Sequence, residues 1–205
     1  MKVTLSSASK HFGREAVIRD LSHTFEPGSR TSILGPNGSG KSTLLQLVAG
    51  ALIPTSGEVK HEVNRVVVDQ EEVYRHVSIA APYLNLYDDL TLRETIENHA
   101  RFKPLRGSIS AIEVARIAYL EAHWQKPVRN FSSGMKQRLK LALAILSDTP
   151  LLLLDEPASN LDAQAVAWFQ ELLKANVDGR TLVVASNRQD AEVGMCTSSI
   201  EIGTR

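Results

Sequence analysis

Gly35-Pro36-Asn37-Gly38-Ser39-Gly40-Lys41-Ser42-Thr43 is the stretch on which the reading of this chain turns, because it fits the phosphate-loop pattern G-x-x-x-x-G-K-[ST]. Arg30-Thr31-Ser32-Ile33-Leu34 before it reads as a short buried strand, and residues 42–49 after it read as a helix that Gly50 stops. A loop between a strand and a helix can cradle phosphate: its glycines let successive N–H groups face the anion, and the helix N-terminus adds its positive dipole end. Lys41 is then placed to reach the β- and γ-phosphates, and Ser42 to ligate Mg²⁺.

Further along, Leu151-Leu152-Leu153-Leu154 is an apolar strand that ends in Asp155-Glu156-Pro157. A buried strand explains the leucines. It does not explain two carboxylates at the end that faces the ligand crevice of a parallel sheet, where a bound cation needs negative charge and an attacking water needs a base. Phe131-Ser132-Ser133-Gly134-Met135-Lys136-Gln137-Arg138 opens a helix that Ser132 can cap, and taken alone it reads as a capped helix and no more.

From Ser133 onward the pattern runs helix, strand, helix with Val166, Phe169 and Leu173 on one face, then a strand over residues 182–185. Such alternation predicts a parallel α/β sheet. Residues 2–34 are β-like, with Leu21, His23 and Phe25 alternating with polar neighbours and a turn at Pro27-Gly28, which predicts a small antiparallel lobe. A turn at Pro54-Thr55-Ser56-Gly57 and β-like runs at 58–60, 65–68 and 77–80 follow. Between residues 90 and 120 the period becomes helical through Leu92, Ile96, Ile109, Ile112 and Leu120, with breaks at Pro104 and Gly107, which predicts a helical insertion.

At 205 residues the chain can bury a full core, and its 43% hydrophobic and 22% charged residues exclude disordered and fibrous classes. Lys+Arg and Asp+Glu balance at 23 each, so no basic field argues for nucleic acid, and none is expected as a partner. The single Cys196 excludes an internal disulfide; with no apolar leader at the start, a cytoplasmic location is expected. No stretch approaches the ~18 apolar residues that span a bilayer, so any membrane span has to come from another chain.

The phosphate loop, residues 131–138, Leu151 to Glu156 and Ser159-Asn160-Leu161-Asp162 occur in an order and spacing that resembles an ATP-binding cassette (ABC) ATPase over nearly the whole chain. The resemblance implies a P-loop NTPase fold: a RecA-like parallel core sheet, an N-terminal antiparallel β lobe and a short helical subdomain. It implies one domain over 1–205, with core and lobe in 1–84 and 128–205 and the helical insertion in 85–127. Phe131 to Met135 looks like the family signature L-S-G-G-Q, with Ser132 and Gly134 kept. Residues 159–162, ending at Asp162, resemble the family loop that lines a dimer seam. Phe12, in His11-Phe12-Gly13, matches the position of an aromatic that stacks on adenine.

By that resemblance, ATP and Mg²⁺ are the ligands, and two cassettes pair head to tail as a homodimer or as a heterodimer with a second ABC subunit. Nucleotide on Gly35, Pro36, Asn37, Gly38, Ser39, Gly40, Lys41, Ser42 and Thr43 of one subunit then meets Ser132 and Gly134 of the other. Ser42 and Asp155 hold the metal, Glu156 serves as base for an in-line water, and Lys41 stabilises charge. Two positions depart from the family. Where a Thr-His pair follows the last core strand, this chain has Ser186-Asn187, so Asn187 can donate a hydrogen bond but carries no charge. Where the family has a glutamine, Ile79-Ala80-Ala81-Pro82-Tyr83 places Pro82 or Tyr83 instead, which implies slow hydrolysis. The favoured expectation is the ATPase subunit of an integral membrane transporter, held at the inner face of the membrane by that partner. The competing expectations are a soluble cassette acting on ribosomes or DNA and a weakly hydrolysing regulatory nucleotide binder.

Overall fold

The computed structural model describes residues 1–187 and 189–203. Among these, strands β1 (Lys2–Phe12), β2 (Glu15–Phe25), β4 (Ser56–Val63) and β5 (Val66–Val67) form an antiparallel sheet in the order β2-β1-β4-β5. A second sheet has the order β6-β7-β8-β3-β9, from β3 (Arg30–Leu34), β6 (Val77–Ala80), β7 (Leu151–Asp155), β8 (Thr181–Ser186) and β9 (Ser198–Glu201), and every pairing in it is parallel. The helices are α1 (Lys41–Val48), α2 (Leu92–Phe102), α3 (Ala111–Ile117), α4 (Ser133–Leu146), α5 (Ala163–Asn176) and the short α6 (Asp190–Val193). This is the P-loop NTPase arrangement: a parallel sheet between helices, with an antiparallel sheet at one side.

Parallel strands covered on both faces are apolar throughout, and β7 and β8 are buried along their whole length. Their side chains alternate between two cores. Leu151, Leu153, Val183 and Ala185 pack with α1 and with Val3, Leu5 and Phe25 of the antiparallel sheet. Leu152, Leu154, Leu182 and Val184 pack with α4, with Phe169 and Leu173 of α5, and with Leu92, Ile96, Val114 and Leu120 from residues 85–127. The helical segment therefore shares a core with the α/β body rather than enclosing one of its own. Its two helices start at capping boxes, Thr91 with Glu94 and Ser110 with Glu113, each such cap worth about 1 kcal/mol.

Because all five strands run the same way, their C-terminal ends share one edge. The register pairs Leu34 with Ser186, Ala185 with Asp155, and Leu154 with Ala80. That edge places the starts of the phosphate loop, of the Asp155-Glu156 segment, of the Asn187 loop and of the Ala81–Tyr83 loop within a step of one another, which is where ligands bind open α/β sheets.

The β elements differ from expectation in extent. Residues 30–34 belong to the parallel sheet, not to the antiparallel lobe, whose first two strands are eleven residues long. Register shifts after Leu5 and Ala8, with Ser7 and Asp20 at positive φ, interrupt the simple alternation that would have revealed their length. β4 begins at Ser56, inside the expected turn, because Gly57 (φ 76°) accommodates a bulge against Ser6 and Ser7, where a Cβ would lie 2.2 Å from the Ser7 carbonyl oxygen. The closing segment contains β9, an edge strand with no apolar run to announce it.

Candidate active site

The phosphate loop leaves β3 at Leu34 and enters α1 at Lys41. Gly40 precedes the helix at φ 100°, a left-handed conformation that a side chain would strain, and a Cβ there would also lie 2.8 Å from Val17 Cγ1. At its far end α1 closes on Gly50, φ 69°, whose N–H donates to the Leu47 carbonyl. Lys41 is 5% exposed; its Nζ donates to the carbonyls of Gly35 at 2.9 Å and Pro36 at 3.1 Å, and it stands 4.0 Å from Glu156 Oε1. The ammonium is thus held over the loop that it would share with phosphate.

A cleft of about 420 Å³ opens over this loop, lined by Phe12, Val17, Asn37, Gly38, Gly40, Lys41, Ser42, Thr43 and Glu156. Phe12, at the end of β1, is 52% exposed, with Lys10 Nζ 5.4 Å from its ring centre, so one face of the ring is free to stack. Glu156 has φ 45°, a left-handed conformation costing about 1–3 kcal/mol for a residue with a side chain. Its N–H donates to the Ala185 carbonyl at 2.9 Å, which ties the strained residue to β8.

Asp155 lies behind the cleft and is 1% exposed, and neither carboxylate oxygen has a hydrogen-bond partner. Ser42 lies close enough to favour the charged form but does not reach hydrogen-bond geometry. Burial first, and then the neighbouring charge of Glu156, push this carboxyl above its ordinary range, while Ser42 and Lys41 act in the opposite sense. An orphaned buried carboxylate beside a serine hydroxyl suits a hard divalent cation, which prefers oxygen ligands. No group of three or more His, Cys, Asp or Glu side chains with metal-site geometry occurs among the described residues, so one carboxylate and one hydroxyl are what the protein offers an ion whose remaining ligands come from phosphate and water.

Of the two residues that could stand in the glutamine position, Tyr83 is near enough to Asp155 to feel its charge, although it is 40% exposed and does not line the cleft. Burial, and beyond it the Asp155 charge, raise its phenol, while the nearby Gln46 side chain of α1 acts in the opposite sense. Its hydroxyl therefore stays neutral at pH 7. Asn187 is exposed at the end of β8, outside the residues that line the cleft.

Ser132, Gly134 and Asp162 lie apart from the cleft. Ser132 Oγ caps α4 by accepting from the Met135 N–H at 3.2 Å, and Asp162 Oδ1 caps α5 by accepting from the Ala165 N–H at 2.8 Å. Gly134 packs so closely on the 159–162 loop that a Cβ would come 3.3 Å from the Asn160 carbonyl oxygen. The signature-like helix start and the seam-like loop thus form one patch, outside the residues that line the cleft over the phosphate loop. Val17 and Gln46 went unseen in the sequence: an apolar residue in a strand and a glutamine in a helix carry no signal of their own.

Comparison with known proteins agrees with this geometry. The profile of the ABC transporter family matches residues 18–159, and the chain belongs to that family. It is 31% identical over 187 residues to an ABC transporter ATP-binding protein of Bacillus subtilis, covering 90% of this chain and 61% of that one. It is 29% identical to Nod factor export ATP-binding protein I of Rhizobium etli, covering 95% and 63%. The chain thus spans about three-fifths of the length of these relatives. Among solved structures, a bacterial ABC transporter cassette determined as a dimer, and in a post-hydrolysis form with ADP and Pi, superposes with a TM-score of 0.83 at 27% identity, covering 98% of this chain and 94% of that one.

Proposed function

We propose that this chain binds and hydrolyses MgATP and, by ATP-driven pairing with a second cassette, powers an integral membrane transporter from the cytoplasmic face. The observation that carries the reading is the convergence on one cleft of a phosphate loop with Lys41 over its carbonyls, an exposed Phe12 from the antiparallel sheet and Glu156, with the unpaired buried carboxylate of Asp155 next to Glu156. Phe12 stacks on the base, the backbone of residues 35–43 and Lys41 hold the phosphates, and Ser42 with Asp155 hold Mg²⁺. The ion, when bound, neutralises charge on the phosphate oxygens. Glu156 takes the proton of the attacking water, and its strained backbone, pinned to Ala185, fixes the direction in which it acts. Ser132, Gly134 and Asp162 serve the nucleotide of the second cassette, which accounts for a patch with the right residues away from the chain's own cleft.

No helix among the described residues is long and apolar enough to cross a membrane; in this reading an integral membrane partner forms the transport path. Residues 85–127 form the insertion that docks it, and exposed Leu84, Tyr87 and Phe102 supply apolar contact nearby. The similarity to export ATPases favours an exporter. Tyr83 and Asn187, in place of a glutamine and a histidine, favour slow turnover, and with it the second reading of a regulatory cassette not coupled to transport.

Phosphate release from MgATP by wild type and Glu156→Gln, together with recovery of an integral membrane protein when the tagged chain is extracted from its native membranes, tests the proposal. Turnover in wild type only, with a membrane partner, is expected. Equal phosphate release by both proteins overturns the role of Glu156, and a chain recovered alone from membranes overturns the coupling to transport.

A further inference from the structure

The segment that carries Glu156 and Asp162 is held from two sides. From α4, Gln137 donates through Nε2 to the Pro157 carbonyl at 2.9 Å. From α6, Glu192 accepts the Ala158 N–H on Oε1 at 2.9 Å. The other oxygen of Glu192 accepts from Ser186 Oγ at 2.5 Å, and Ser186 Oγ in turn accepts from the Gln189 N–H at 3.1 Å. Asn187 lies inside that small closed circuit. A single carboxylate, 2% exposed, therefore joins the loop after β8 to the loop after β7.

A side chain that only filled this space would be apolar, because a buried carboxylate costs free energy unless hydrogen bonds offset it. Two hydrogen bonds from neutral donors, one to each oxygen of the same carboxylate, tie the two loops to a single side chain. We propose that Glu192 is a positioning residue that couples the Asn187 loop to the 156–162 segment, so that a phosphate sensed at Asn187 resets Glu156 and the seam residue Asp162 together. Glu192 is buried and does not line the nucleotide cleft. The inference rests on the nucleotide-binding reading above.

Hydrogen exchange of the purified chain, with and without MgATP, separates the two. In wild type, peptides covering 35–43 and 156–162 are both expected to gain protection. In Glu192→Ala, 35–43 gains it and 156–162 does not. Ser186→Ala, which removes one arm of the bridge with little change in volume, should show the same selective loss even if Glu192→Ala folds poorly. In steady-state hydrolysis both variants should lose about tenfold in kcat, the scale of one bond to a charged group, with KM for ATP within about twofold. Glu192→Gln should restore the rate, since its amide oxygen can accept from Ala158 while its NH₂ donates to Ser186 Oγ. Equal protection of 156–162 in wild type and both variants, or a Glu192→Gln as impaired as Glu192→Ala, overturns the coupling. Protection of neither peptide in wild type overturns the nucleotide reading itself, and this inference with it.

Discussion

Replacing Asp155 with asparagine should stabilise the nucleotide-free protein while disabling it. Both oxygens of this carboxylate are buried without a partner, and Lys41, the nearest candidate cation, is occupied by the Gly35 and Pro36 carbonyls. An unsatisfied buried polar group costs about 1–3 kcal/mol, and more when charged; asparagine keeps the shape and part of the polar cost but sheds the charge, so a net gain of about 1–2 kcal/mol follows. For a chain of this length that is roughly 2–8 °C in Tm. The sign with pH is fixed by the direction of the shift. Because the folded-state pKa is raised, the penalty is fully present above it, is relieved as pH falls through it, and is gone below the ordinary value of 3.8, where the carboxyl is neutral folded or unfolded. Scanning fluorimetry without nucleotide should therefore show the variant ahead at pH 7, with the gap closing toward pH 4. With MgATP the order should reverse, since only wild type can offer the ion a carboxylate. An Asp155→Asn protein that melts below wild type at pH 7 without ligand would refute the view that this group is an unpaired charge awaiting a cation.

Lys41→Ala should weaken MgATP binding by roughly tenfold to a hundredfold, since a charge-assisted contact is worth about 1.5–3 kcal/mol; titration calorimetry reads this directly, and unchanged affinity would contradict the placement of Lys41 on phosphate. Asn187→His should leave affinity within about tenfold, because one neutral hydrogen bond is worth only ~0.5–1.5 kcal/mol, yet raise the single-turnover rate by offering positive charge to the transition state. If the rate rises only when Tyr83→Gln is added, the glutamine position sets the limit; no gain in either variant or in the pair would show that these departures do not govern the rate.

How much of this was legible in the sequence depended on how local each signal was. The phosphate loop and the Asp155-Glu156 strand end are contiguous motifs with fixed chemistry, and the structure brings both to one edge as a parallel sheet requires. The helical character of residues 90–120 was visible through periodicity, though Ile109 and Leu120, which contributed to it, lie outside α2 and α3. The antiparallel lobe was visible too, but the length of its strands was not, because bulges at Ser7 and Gly57 break a period of two. Nothing in the sequence chooses Tyr83 over Pro82, because the electrostatic effect of Asp155 on Tyr83 joins residues far apart in the chain, and Glu192 carries no sequence signal, since its partners lie 34 and 6 residues away.

The central claim, that this site closes on ATP against a second cassette, is tested most directly by the mass of Glu156→Gln in solution. The substitution keeps size and removes the proton acceptor, so ATP should persist in the seam and hold the dimer. Size-exclusion chromatography with light scattering should show a dimer with MgATP and a monomer with MgADP or after Ser132→Ala is added. A Glu156→Gln chain that binds ATP yet stays monomeric, alone and with its membrane partner, would contradict the account.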